Sequence, residues 1–195
     1  IKEVPYNGVT TLSVTAAQIA TALGVNINTM TPGKQFTLYN EITTKDGKIF
    51  SLANTNGEFE SIANYNMALR WTASVVCPFV PADAAGTYKI TEDNWDGAAG
   101  ELATVTATAN TLKIDLLYPF ADNPGLSPVT VDVDVPTGTA TVKKQVYGSY
   151  GSNFQNFTAQ GSGLVFSCVG KIQLNIQHLL GTTDYGFYAI ELEKQ

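Results

Sequence analysis

The stretch "PVTVDVDVPTGTATVKKQVY", residues 128–147, decides the fold. Val129, Val131, Val133 and Val135 alternate with Thr130, Asp132 and Asp134. Successive side chains of an extended chain point to opposite faces, so this pattern predicts a strand with one apolar and one polar face. Pro136-Thr137-Gly138 supplies a turn into a second strand, "TATVKKQVY". Asp132 and Asp134 form a candidate carboxylate pair on the polar face. An ordinary solvent face explains them better.

The same period continues on both sides. Downstream, "SGLVFSC" puts Leu164, Phe166 and Cys168 in phase. "GKIQLNIQH" sets Ile172, Leu174 and Ile176 against Lys171, Gln173, Asn175 and Gln177, and "GFYAIELE" turns Tyr188, Ile190 and Leu192 inward. Upstream, "GTYKIT" points Tyr88 and Ile90 one way. "LATVTATA" follows, then "TLKIDLLY" with Leu112, Ile114, Leu116 and Tyr118 in phase. About eight strands in roughly 110 residues, with short connections and no helix between them, predict an antiparallel up-and-down meander. Eight such strands can close into a barrel that leaves no free edge.

Residues 1–82 read differently. "TAAQIATALG" predicts a short helix: Thr15 and Gln18 have capping-box spacing, Ile19 and Leu23 share a face, and Gly24 supplies the stop. Strand patterns follow. "KQFTLYNEITT" has Phe36, Leu38 and Ile42 on one face, and "KDGK" marks a hairpin returning through Ile49, Phe50 and Leu52. "NMALRWTASVV" turns Met67, Leu69, Trp71, Ala73 and Val75 to the core. "CPFVPADAAG" then breaks the pattern, since Pro78 and Pro81 cannot donate to a ladder. The reading is an all-β chain of two domains, 1–82 and 83–195.

Composition narrows the function. Of 195 residues, 44 % are hydrophobic, enough for a substantial core, while only 14 % are charged, against roughly 25 % in ordinary soluble domains. The net charge is −6 and the longest basic cluster is Lys143-Lys144, which argues against nucleic acid and against an anionic membrane surface. No apolar stretch approaches the roughly 20 residues of a membrane-spanning helix. The two cysteines, Cys77 and Cys168, permit either one disulfide or two buried thiols. A bridge would close a loop of about 90 residues, worth about 4–5 kcal/mol in the chain-entropy picture.

Catalytic readings find little support. With one histidine, His178, a multi-histidine metal site is impossible and a Ser-His-Asp triad would depend on it alone. It falls in the apolar phase of its strand, as a structural histidine would. "TEDNWDGAAGE" holds Glu92, Asp93, Asp96 and Glu101 on a Gly-containing loop, a candidate for Ca²⁺ or, as the least favoured case, a glycoside hydrolase pair. A solvated turn explains it more simply. No cofactor is expected. "YGSYGSNFQNF" carries Tyr147, Tyr150, Phe154 and Phe157 on a Gly/Ser/Asn-rich segment. Rings beside amides suit sugar stacking; alternatively they plug one end of the barrel. Trp95 and Tyr118 complete the candidate ligand-binding set.

"VVCPF", "GTYKITEDNWDG", "TLKIDLLY", "VDVDVPTGTATVKKQ", "GSGLVFSCVGKIQLNI" and "YAIELEK" together resemble small secreted surface lipoproteins of Bacteroidetes-type bacteria, products of starch-utilisation-like glycan uptake loci. The resemblance implies an immunoglobulin-like β-sandwich module, incomplete here, before a calycin- or lipocalin-like eight-stranded barrel. It also implies a place at the outer-membrane surface or in the periplasm, with membrane attachment only through a lipid anchor outside this sequence, and outer-membrane uptake proteins as partners. The leading expectation is a non-enzymatic oligosaccharide-binding or accessory protein. The alternatives are a lipid or small apolar ligand inside a barrel lined by Leu112, Ile114, Val131, Val133, Phe166, Leu174 and Ile190, and a structural or interaction module without a small ligand.

Overall fold

A computed structural model describes residues 13–55, 69–121 and 128–195. The chain forms two compact units, Ile1–Val75 and Val76–Gln195. Among the described residues no helix is long and apolar enough to cross a membrane.

In the first unit, α1 (Ala16–Leu23) starts at Thr15, whose hydroxyl accepts from the Gln18 backbone N–H at 3.2 Å. The Thr15 N–H in turn donates to Gln18 Oε1 at 2.9 Å. This reciprocal pair satisfies donors that a helix start leaves open. Gly24, at φ 65°, ends the helix. Ile19 and Ala20 are buried, whereas Leu23 is exposed. Strands β1 (Gln35–Tyr39) and β4 (Arg70–Ser74) pair antiparallel, with Leu38 opposite Trp71. Between them β2 (Ile42–Thr43) and β3 (Ile49–Phe50) form a hairpin. These elements are consistent with the immunoglobulin-like module expected here; the described residues form two two-stranded sheets. Met67 lies outside the described residues.

The second unit is a closed eight-stranded antiparallel barrel. Its strands are β5 (Gly86–Asp93), β6 (Leu102–Thr108), β7 (Thr111–Asp115), β8 (Val129–Val133), β9 (Thr139–Gly148), β10 (Phe157–Phe166), β11 (Lys171–Leu180) and β12 (Thr183–Lys194). Each pairs with its neighbour in sequence, and β12 pairs with β5 to close the ring. Closure removes the edge strands that an open meander would expose.

The seam lies seven residues before the 82/83 boundary expected from sequence, because the proline-rich stretch belongs to the barrel. The Phe79 N–H donates to the Val135 carbonyl at 2.7 Å and the Val80 N–H to Ser167 Oγ at 3.0 Å. The four-residue helix α2 (Pro81–Ala84) follows, with proline in its first turn, where the missing N–H costs nothing. Phe79 and Ala84 join the barrel core, and the Tyr88 hydroxyl donates to the Ala84 carbonyl at 2.9 Å. Cys77 and Cys168 form a disulfide, so the bridge lies wholly within the second unit.

Side chains fill the interior. Leu112, Ile114, Val131, Val133, Leu174 and Ile190 pack into one core cluster, each at most 4 % exposed. Phe166 is buried outside that cluster, because Phe157, Ala159 and Val165 set the inward phase of β10. Gly161 and Gly163 occupy the positions between them, where a Cβ would overlap the Asn175 and Gln173 carbonyl oxygens of β11. Glycine here permits close backbone approach. Two further readings are corrected. Leu116 sits at φ 59° just past the end of β7, so it is exposed and Leu117 is buried in its place. Val135 lies past the end of β8 and is exposed.

Candidate functional site

An up-and-down barrel brings alternate connections to the same end. The 94–101, 116–128, 149–156 and 181–182 connections therefore share one end, opposite the disulfide and α2. Three of these four are long, whereas those at the other end are short turns.

The long-loop end is closed by packed rings. Trp95 stacks on His178 with centroids 4.2 Å apart and planes 7° from parallel. Phe157, Tyr185 and Tyr188 surround the indole at centroid distances of 5.7, 5.7 and 5.1 Å. Its Nε1–H donates to the Tyr150 hydroxyl at 2.9 Å. Tyr118 packs on Tyr147 at 4.6 Å. Tyr147 Oη and His178 Nδ1 share a 2.9 Å hydrogen bond. Burial lowers the His178 pKa to about 4, so the imidazole is neutral at ordinary pH. Tyr118, Tyr147 and Phe157 are buried, and Trp95 and Tyr150 are half-buried with rings against rings. Of the six candidate ligand-binding residues only Phe154 is exposed. Tyr185 escaped sequence reading because a register shift between Gln177 and Leu179 breaks the alternation near it.

Asp93 organises the turn beneath the indole. Its Oδ1 accepts from the Trp95 and Asp96 backbone N–H groups at 3.0 and 3.2 Å, and its Oδ2 from Ala98 at 3.1 Å. A local bulge aims it there: Glu191 pairs with Glu92 and Leu192 with Ile90, leaving Thr91 extra. That extra residue turns Glu92 outward and Asp93 inward. Glu92 instead accepts from Asn94 Nδ2 at 2.7 Å, and Glu101 is exposed. Among the described residues no three acidic, His or Cys side chains gather as a metal site. Of the four carboxylates considered for Ca²⁺, Glu92 and Glu101 are exposed, whereas Asp93 is buried and Asp96 half-buried beside it.

Burial, reinforced by the neighbouring Asp93 charge, raises the Asp96 pKa from 3.8 to about 6. A carboxyl that binds its proton more tightly when folded adds stability at low pH, and that contribution fades as pH rises from about 4 through about 6. Asp96→Asn removes this charge. Relative to the wild type, the variant is expected to be more stable by about 1–3 kcal/mol at pH 7 and equally stable near pH 4. Urea denaturation of both proteins across this range checks it; equal midpoints at pH 7 would count against it.

Beside the plug, an open groove of about 650 Å³ runs along the outer barrel wall. Lys144 and Val146 of β9 and Thr158 of β10 form one side, and Leu180 and Gly181 lie at the β11–β12 turn. Ser152, Asn153, Gln155 and Asn156 line it from the β9–β10 loop. The loop is held by its own bonds: Tyr150 N–H to the Phe154 carbonyl at 2.8 Å and Asn156 N–H to Ser149 Oγ at 3.0 Å. Tyr150 and Phe157 anchor its two ends in the plug. The "YGSYGSNFQNF" stretch thus divides its work. Its rings mostly fix the loop, and its amides and one serine face the groove. The sequence showed the residue types but not this division, which depends on the chain direction at each loop position.

Comparison with protein families, curated proteins and solved structures gives no match to this chain.

Proposed function

We propose that this protein is a non-enzymatic, secreted oligosaccharide-binding protein that uses the β9–β10 groove, as an accessory of a surface glycan-uptake system. The observation that carries the reading is the groove lining. Ser152, Asn153, Gln155, Asn156 and Thr158 place amides and hydroxyls along an open cleft, with Val146 and Leu180 as its apolar parts. Amides both donate and accept hydrogen bonds, which suits sugar hydroxyls, and small apolar surfaces suit the sugar's C–H faces. The nearby exposed ring of Phe154 adds a stacking surface on the same loop.

Two further observations support binding rather than the alternatives. The barrel interior is occupied by its own side chains, where a lipid ligand would lie. Asp93, the buried carboxylate of the acidic loop, is occupied by three backbone donors. The disulfide supports an oxidising, extracytoplasmic setting. A lipid anchor outside this sequence and outer-membrane uptake proteins as partners complete the proposal.

Isothermal titration against a panel of neutral and acidic oligosaccharides tests it. At least one sugar is expected to bind, and the Asn153→Ala/Asn156→Ala double variant should weaken it by about tenfold, the loss of one or two hydrogen bonds. Binding that survives the double variant unchanged would move the site elsewhere. Silence across the whole panel would favour an interaction module without a small ligand.

A further inference from the structure

The strand alternation that fits most of the barrel would carry Ala140 and Val142 inward and Lys144 with them. Ala140 and Val142 are indeed buried. Lys144 is not, because β9 bulges at this point. Val142 pairs with Gly161 and Gln145 with Ala159, so Lys143 and Lys144 together face the single residue Gln160. A bulge re-aims side chains, and this one turns both lysines outward. Their surroundings then differ. Lys143 Nζ lies 2.7 Å from Asp132 Oδ2 on β8. Lys144 lies on the wall of the groove, and its side chain makes no ion pair or hydrogen bond among the described residues.

Among the described residues that line the groove, Lys144 is the only one with a charged side chain, in a chain of net charge −6. Asp184, near the β11–β12 turn, is held by Gln177 Nε2 at 2.7 Å and by the Gly186 N–H at 2.8 Å. The wall thus offers one uncompensated ammonium among neutral amides and hydroxyls. On the reading that this groove binds oligosaccharides, we propose that its preferred ligand carries an anionic substituent, a uronate carboxylate or a sulfate ester, placed on Lys144. The amides hold hydroxyls of the flanking residues, and the ammonium donates a charge-assisted hydrogen bond to the anion.

The test titrates the full chain with tetragalacturonate, with its fully methyl-esterified form, and with a sulfated galacto-oligosaccharide. At least one anionic ligand is expected to bind about fivefold more tightly than the neutral ester, as an exposed charge contact allows. That advantage should shrink with added salt. Lys144→Gln should erase that advantage, whereas Lys143→Gln should leave it intact. Tighter binding of the uronate alone or of the sulfated sugar alone identifies which anion is taken. If the ester binds as well as both anions, or if Lys144→Gln keeps the preference, the anion inference falls and the glycan reading stands. If all three fail while a neutral sugar from the wider panel binds, the inference falls alone. If no sugar binds, both fall.

Discussion

Replacing Cys77 and Cys168 together by serine is expected to lower the barrel's stability by about 4–5 kcal/mol. The bridge spans 91 residues of sequence, and a loop of this length restricts the unfolded chain by about that amount in the chain-entropy account. The native state loses a tether as well. Segment 76–80 carries Phe79 into the core, and without the disulfide it is held by the Phe79–Val135 and Val80–Ser167 hydrogen bonds and by Phe79's own burial. Ser167 strengthens this attachment by donating to the Pro78 carbonyl at 3.3 Å. The barrel ring itself is built from strands that the bridge does not interrupt, so the serine variant should still fold, with a lower midpoint in urea. A loss below about 1 kcal/mol would mean that the unfolded chain is already compact around this loop, contrary to the entropic account.

Trp95→Ala is expected to be similarly damaging, by about 3–5 kcal/mol, the range for truncating a large core aromatic. The indole stacks on His178, packs against four other rings and supplies the donor to the Tyr150 hydroxyl. Removing it opens a cavity at the long-loop end and leaves the face of His178, a fully buried imidazole, uncovered. The effect should appear in chemical denaturation as a lower midpoint. Trp95→Phe should recover part of the loss, because a ring returns while the Nε1–H does not. If Trp95→Ala instead left stability unchanged and abolished sugar binding, the indole would be a ligand platform rather than part of the plug.

The barrel was legible in the sequence because strand period is physical: valines at 129, 131 and 133 are all buried, as are Ile172, Leu174 and Ile176. What escaped were the places where the period slips. The extra residue at Thr91 brings Asp93 inward, and the bulge at Lys143-Lys144 turns a lysine onto the groove. In β10, Gly161 and Gly163 carry no side chain to mark the phase, so Leu164 and Phe166 looked like the core face when Val165 is. The aromatic residues of 147–157 were legible as a cluster. Their sorting into a buried plug and one exposed ring required the loop's three-dimensional path. The separation of groove from plug is likewise a property of the closed barrel, since Lys144, Asn153 and Leu180 meet only when β10 brings β9, its loop and the end of β11 together.

Backbone amide chemical-shift mapping with a binding oligosaccharide tests the central claim most directly. The account predicts perturbations concentrated at residues 144–146, 152–158 and 180–181, with Leu112, Val131 and Ile190 of the barrel interior unmoved. Shifts centred on those interior residues would contradict it and restore the barrel lumen as the binding site.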